Sequence, residues 1–453
     1  MKKSLKIKSF YYSLTLPTSK MGVQILTHAG KILFVAIALL LNITAVKGLP
    51  SYARQTGMSC SACHFSFPEL NSFGRQFKMN GYVLTGMSTI ESKDDSTNVT
   101  RLKLLSTLPL SAMVQSSFTH IAKDVPGVQN NSVTLPQQLS VFYAGQVTPH
   151  IGTFIQMTYD GHSFGMDNVD IRYANQGRFA GKSLTYGLTL NNNPAVQDVW
   201  NTSPAWRFPS AGSDAAKTPA KSSIMENLGG QVAGLGLYAL WNNLIFAEVS
   251  AYRSAQQGAA NPSDTTSVGV LRGIAPYWRL ALQHQWYNNY ISVGTFGIAP
   301  RLYQSGITGD MNKIRDVAFD FQYEHNLPFG ALTIHSSYTH ENETRESSGA
   351  PSQELDFNSF KADANLYLKK GLGATVGYFK TTGTVDENVG SWTNKPDSDG
   401  YIAQLEYLPW YNTKFALQYV GYNNFDGTHW NYDGKGRNAS DNNTLYLVVW
   451  LNF

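Results

Sequence analysis

From about Leu108 to the last residue, apolar and polar positions alternate in runs of roughly eight to twelve residues. Val317, Phe319, Phe321 and Tyr323 share one face, with Asp316, Asp320, Gln322 and Glu324 on the other. Tyr401, Ala403, Leu405 and Tyr407 alternate with Gln404 and Glu406, and Ala362, Ala364, Leu366 and Leu368 with Lys361, Asp363 and Asn365. A period of two residues, with one apolar and one charged face, predicts strands and excludes helices. It suits either a soluble sandwich or a membrane barrel whose apolar face meets lipid.

Three features favour the barrel. Aromatic residues make up 13% of the chain, many of them at strand ends, as in interfacial girdles. Short turns, such as Trp241-Asn242-Asn243-Leu244 and Lys369-Lys370-Gly371, alternate with long polar stretches near 192–232, 341–356, 384–398 and 423–442. Leu445, Leu447, Val449, Leu451 and Phe453 form a last apolar face that resembles the terminal strand of an outer-membrane barrel. The expected fold is therefore an all-β, antiparallel outer-membrane barrel over 108–453. Both ends should lie in the periplasm, which requires an even number of strands. Sixteen follows if neither weak segment, near 290–296 and 301–306, is a strand, and eighteen if both are. The repeated Gly-Ile-Ala-Pro at 273–276 and 297–300 reads as a pair of turns.

The N-terminus changes the charge balance. Ile32 to Leu41 is an unbroken apolar run after Lys31, the length of a signal-peptide core and too short to span a bilayer. Cleavage near Gly48 makes residues 1–48 the expected signal peptide, with Met21 as an alternative start. That stretch holds seven lysines and no acid, so its loss takes the formal charge from +4 to −3. Nothing then points to nucleic acid.

Both cysteines of the chain stand in Cys60-Ser61-Ala62-Cys63-His64. Two thiols at this spacing can form thioethers to the vinyl groups of a haem, and the following imidazole can ligate the iron. The same spacing serves a dithiol redox pair. A zinc site would need two further ligands, and no other cysteine exists to supply them. In an exported chain the pentapeptide predicts one covalent haem c on Cys60 and Cys63, with His64 as proximal ligand.

Residues 52–82 resemble the fused monohaem cytochrome–porins, the outer-membrane iron oxidases of iron-oxidising bacteria. The resemblance rests on Tyr52-Ala53-Arg54-Gln55-Thr56-Gly57, the pentapeptide, Phe67-Pro68-X-Leu70, and Phe73-Gly74-Arg75-X-Phe77-Lys78 with Gly81-Tyr82. Asn71-Ser72 departs from the Thr-Pro of many relatives, at a position expected to be a loop. The resemblance implies electron transfer from extracellular Fe(II) across the outer membrane to a periplasmic c-type cytochrome or other carrier. Electron export to an external acceptor would use the same parts, and a passive porin with a structural haem is a further alternative.

The expected organisation is a signal peptide (1–48), a mainly helical or irregular monohaem segment (49–95), a linker (96–107) and the barrel. The haem segment is too short to bury a haem well alone, so it is expected to dock in the lumen, with the haem near the barrel mouth. Met79, fifteen residues past His64, is the first candidate for the distal iron ligand, ahead of Met87 and Met58. Arg54 and Arg75 are candidates for the haem propionates. No nucleotide loop, nucleophile elbow or zinc-protease helix is present, and no His-carboxylate pair stands at metal-ligand spacing.

Overall fold

The protein is described by a computed structural model covering residues 50–453, apart from 85, 88, 94–96, 98–99, 162, 196–197, 201–214 and 256–268. The assignment of a signal peptide to 1–48, and the alternative start, lie outside the described residues. Strands dominate. They follow two short helices, α1 (Pro50–Thr56) and α2 (Ser72–Met79), and a hairpin of β1 (Thr89–Lys93) and β2 (Thr100–Leu105). That hairpin occupies part of the stretch expected to be a plain linker.

The remaining strands run from β3 (Leu110–Ile121) to β19 (Thr444–Asn452) and close into an antiparallel barrel. Each pairs with its sequence neighbour, and β19 closes on β3 from Thr444↔Ile121 to Asn452↔Met113. Among the described residues the barrel has sixteen staves. The expected number stands, but its reason changes. The segment near 290–296 lies inside a full strand, β11 (Asn289–Ile298), and β12 (Arg301–Tyr303) continues the same stave, both pairing with β13 (Met311–Leu327). Gly297 and Ile298 belong to β11 rather than to a turn, so only Ala299-Pro300 interrupts the stave, where proline has no N–H to give the ladder.

The alternating pattern is inverted relative to a soluble protein. On β13, Phe319 and Phe321 are exposed while Asp316, Asp320, Gln322 and Glu324 are buried. Leu235, Leu237, Val249, Leu282, Val376 and Leu405 are also exposed, giving the barrel the apolar outer band of a lipid-facing surface. No described helix is long and apolar enough to cross a membrane. One rim carries tight turns, such as that at Asn242-Asn243, where both residues adopt positive φ as a type I′ turn demands. Phe179, Tyr287, Phe329, Tyr411 and Phe453 stand exposed along this rim as an aromatic belt. The opposite rim carries the long loops. Barrel start and barrel end both lie on the short-turn side, which is the periplasmic side of an outer-membrane barrel.

The loop spanning 192–231 does not simply solvate the outer rim. Part of it folds inward, with Trp200 only 1% exposed and its indole N–H donating to the Tyr290 hydroxyl at 2.7 Å. A four-residue helix, α3 (Ile224–Asn227), presents the N–H groups of Ile224 and Met225 to Glu341 and Asp316 at 2.6 and 3.1 Å.

Candidate functional site

The pentapeptide folds into a tight turn. Cys60–Ala62 form one 3₁₀ turn, in which the N–H groups of Cys63 and His64 both donate to the Cys60 carbonyl, at 2.9 and 2.8 Å. The turn is fastened to α2 through Asn71, the helix N-cap. Its side-chain oxygen accepts from Gly74 N–H at 3.0 Å, and its amide group donates to the Ala62 and Ser61 carbonyls at 3.1 and 3.3 Å. Position 71 is thus a cap and not a free loop residue. Asparagine suits it because one side chain supplies both the acceptor and the donor.

Gly74 allows the closest approach in this segment. A Cβ there would fall on the carbonyl oxygen of Cys63 and within 3.0 Å of the Leu70 side chain. Gly74→Ala is therefore expected to push α2 off the turn and to destabilise the segment by roughly 1–3 kcal/mol through overpacking. Faster proteolysis within residues 50–84 and a lower melting temperature would report it. Gly165→Ala, where nothing lies within 4 Å, is the control.

Residues 50–84 lie against the inner face of the barrel. Tyr52 donates to the Thr153 carbonyl at 2.6 Å, Gln55 to that of Ala144 at 2.8 Å, and Tyr82 to Asp170 at 2.6 Å. Lys414 donates to the Phe67 carbonyl at 2.7 Å, Tyr367 to Glu69 at 2.6 Å, and Tyr238 to the Met79 carbonyl at 2.6 Å. Arg75 pairs with Glu324. Of the inward charges read from the sequence, Glu324 thus touches the segment directly. Asp363 reaches it through His335, which lies 2.8 Å from Asp363 and 3.5 Å from Glu69, while Asp320 pairs with Arg279 at 2.9 Å.

Between this segment and the wall lies a cavity of about 400 Å³, a size ordinary for cofactor pockets. Cys60, Cys63 and His64 all line it. So do Tyr52, Phe67, Phe77 and Tyr82 from the segment, and Met113, Phe142, Phe154 and Trp450 from the wall. These four wall residues occupy the halves of their strands nearest the short turns, which places this part of the cavity toward the short-turn rim. They also interrupt the polar lumen. Inward positions on β3 read Ser111, Met113, Gln115, Ser117 and Thr119, with Met113 as the apolar exception at cavity height.

His64 is set for ligation. Its Nδ1 lies 3.2 Å from both the Pro68 and the Glu69 carbonyls, which accept but cannot donate. Nδ1 therefore carries the hydrogen, and Nε2 keeps the lone pair that binds a metal. Burial pushes the imidazole down to about 4, against the pull of the two carbonyls, so the ring is neutral near pH 7. Burial likewise pushes the Cys63 thiol up to about 11. The two sulfurs are not bonded to one another, and Cys60 meets the Tyr411 carbonyl at the short-turn rim. Burial raises the Glu69 carboxyl to about 7, with His335 and the Tyr367 hydroxyl opposing.

Other expected site residues are placed elsewhere. Met79 does not line the cavity; it is 2% exposed and packs with Trp200, Tyr238, Leu240, Phe246, Ala281 and Tyr290. The helical phase explains this. Phe73, Gly74, Phe77 and Lys78 face the cavity, and Met79, with Arg75 four residues earlier, lies on the opposite face of α2. Arg75 is 1% exposed and is held by Glu324, the Leu70 carbonyl at 3.0 Å and the Tyr290 ring at 4.2 Å. Arg54 donates to the Leu110 carbonyl outside the cavity. Neither arginine faces the space where propionates would lie, and Met87 is also outside it. Met58 does line the cavity, as does Lys78, a cation that the sequence reading passed over. Burial pulls Lys78 down to about 8. Its place four residues after Gly74 on one helix face was the available signal.

The residues present fit the group that the pentapeptide implies: two thiols and a neutral imidazole with the right tautomer border one apolar cavity that Lys78 also lines. No family model and no curated protein sequence matches the chain. Similar solved structures are outer-membrane barrels. They include in-vitro folded OmpT, an outer membrane protein of Vibrio cholerae, at 9% identity over 76% of this chain and 96% of that one (TM-score 0.42). An anion-selective porin from Comamonas acidovorans is similar at 10% identity over 76% and 98% (TM-score 0.46). Salmonella typhi OmpF in complex with daunomycin is similar at 12% identity over 76% and 97% (TM-score 0.46).

Proposed function

We propose that this outer-membrane, porin-like barrel is a c-type cytochrome–porin of the family that its haem segment resembles. In this reading it takes electrons from extracellular Fe(II) and passes them to a periplasmic c-type cytochrome or another carrier, after export on the signal peptide at 1–48. One observation carries it: Cys60, Cys63 and His64 border a single apolar cavity inside the barrel lumen. A haem c held there would supply one-electron redox chemistry.

The chain's own residues have separable tasks. Cys60 and Cys63 provide the attachment, and the Pro68 and Glu69 carbonyls hold His64 in the ligating tautomer. Phe142, Phe154 and Trp450 keep water from the cavity, and Lys78 offers a cation for a propionate. The periplasmic-side position of the cavity favours delivery to a carrier on that side. Filling of the lumen by residues 50–84 and by the inward loop argues against a simple open pore.

Anaerobic Fe(II) titration of the purified protein is the deciding experiment, with reduced-haem bands expected to grow with each addition. Cys60→Ser/Cys63→Ser should abolish peroxidase staining on denaturing gels. Haem that acid acetone extracts from the wild type, or bands indifferent to Fe(II), would overturn the reading. A strongly negative midpoint potential would favour electron export instead.

A further inference from the structure

We propose that Met113, a residue of the barrel wall, is the sixth ligand of the haem iron; this rests on the haem c reading above. A haem held by Cys60, Cys63 and His64 would occupy the cavity between the segment and the wall, and would there meet the wall residues that line it. The wall there presents Met113, Phe142, Phe154, Trp450 and a few amide side chains, including Gln115, Gln138 and Asn168. A thioether is an established axial ligand of c-type haem, and hydrocarbon rings have no lone pair to offer. Met113 is the wall residue of this cavity that carries sulfur.

Three further observations agree. Met113 is 3% exposed and packs with Phe142 and Ala144, with Tyr52, Phe154 and Trp450 against them. The Gln115 amide lies 3.7 Å from its sulfur and orients it. Met79 is on the far face of α2 and cannot compete without unwinding the helix. Met58 shares the cavity, but its N–H is tied to Thr56 Oγ1 at 3.2 Å and it stands two residues from an attachment cysteine. It is therefore confined near the linkage edge of the group.

The consequence is a coordination bond between two parts of the chain that are otherwise joined by packing, hydrogen bonds and the Arg75–Glu324 ion pair. The test uses the whole holoprotein purified from outer membranes. Met113→Leu keeps the volume of the side chain and removes the sulfur. It should lose the sulfur-to-iron charge-transfer band of the oxidised protein, lower the midpoint potential, and open the ferrous iron to carbon monoxide. Met58→Leu and Met79→Leu should retain the band. Met113→His should restore a six-coordinate, low-spin spectrum without the band. Covalent haem staining should be equal in all of these proteins. A wild type with covalent haem but no such band, or a band that survives in Met113→Leu, overturns the assignment and leaves the functional reading standing. A wild type without covalent haem brings down both.

Discussion

Arg75→Met is expected to weaken docking of the inner segment by roughly 3–5 kcal/mol, because it strands Glu324 as an uncompensated buried carboxylate. Both side chains are nearly inaccessible, at 1% and 3% exposure. The guanidinium also donates to the Leu70 carbonyl at 3.0 Å and lies 4.2 Å from the Tyr290 ring, so three contacts end together. Gln322 donates to the same Glu324 oxygen at 2.7 Å, but an amide cannot neutralise the charge. Arg75→Met/Glu324→Gln should recover most of the loss, since it removes both charges and leaves a neutral polar group. Protease sensitivity of residues 50–84, followed through a thermal ramp, measures the effect. A single variant within about 1 kcal/mol of the wild type would show that the pair does not hold the segment.

Removing residues 50–84 should convert a poorly conducting barrel into an ion channel. Sixteen staves enclose a lumen wide enough for water, and the inner segment occupies its periplasmic half. The wall should survive the deletion. Its ladder is continuous from β3 to β19, and the inward carboxylates and lysines left behind become hydrated instead of buried. Planar-bilayer recordings should show discrete conductance steps in the deleted protein that the whole protein lacks. The inward-folded loop stays in place, with Trp200 and α3 in the lumen, so the steps should be smaller than for an empty barrel of this size. Equal, large conductance in both proteins would mean that the inner segment does not obstruct the lumen.

The barrel was legible in the sequence because each strand declares its two faces locally. Phe319 against Asp320, or Leu405 against Glu406, needs no knowledge of distant residues. The pentapeptide was legible for the same reason, since its geometry lies within five residues. What escaped depends on partners far along the chain. Arg75 reads as a cation for a haem propionate until Glu324 is brought opposite it, 249 residues away. Met79 lies at a workable chain distance from His64, but the phase of α2 turns it from the cavity. Met113 lies in a strand, 49 residues after His64, and only closure of the barrel carries it to the cavity. The loop over 192–231 reads as polar because Asn, Ser, Asp and Lys outnumber Val199, Trp200, Ile224, Met225 and Leu228, larger apolar residues that are buried there.

The cavity straddles the seam where the first and last staves of the barrel meet: Met113 stands on β3, and Trp450 and Asn452 on β19. That placement imposes an order on biogenesis. If haem c is carried there as proposed, its attachment is expected to precede docking of residues 50–84, because Cys60 is buried once the segment lies against the wall. Modification of the cysteines and assembly of the barrel would then act on one polypeptide in succession.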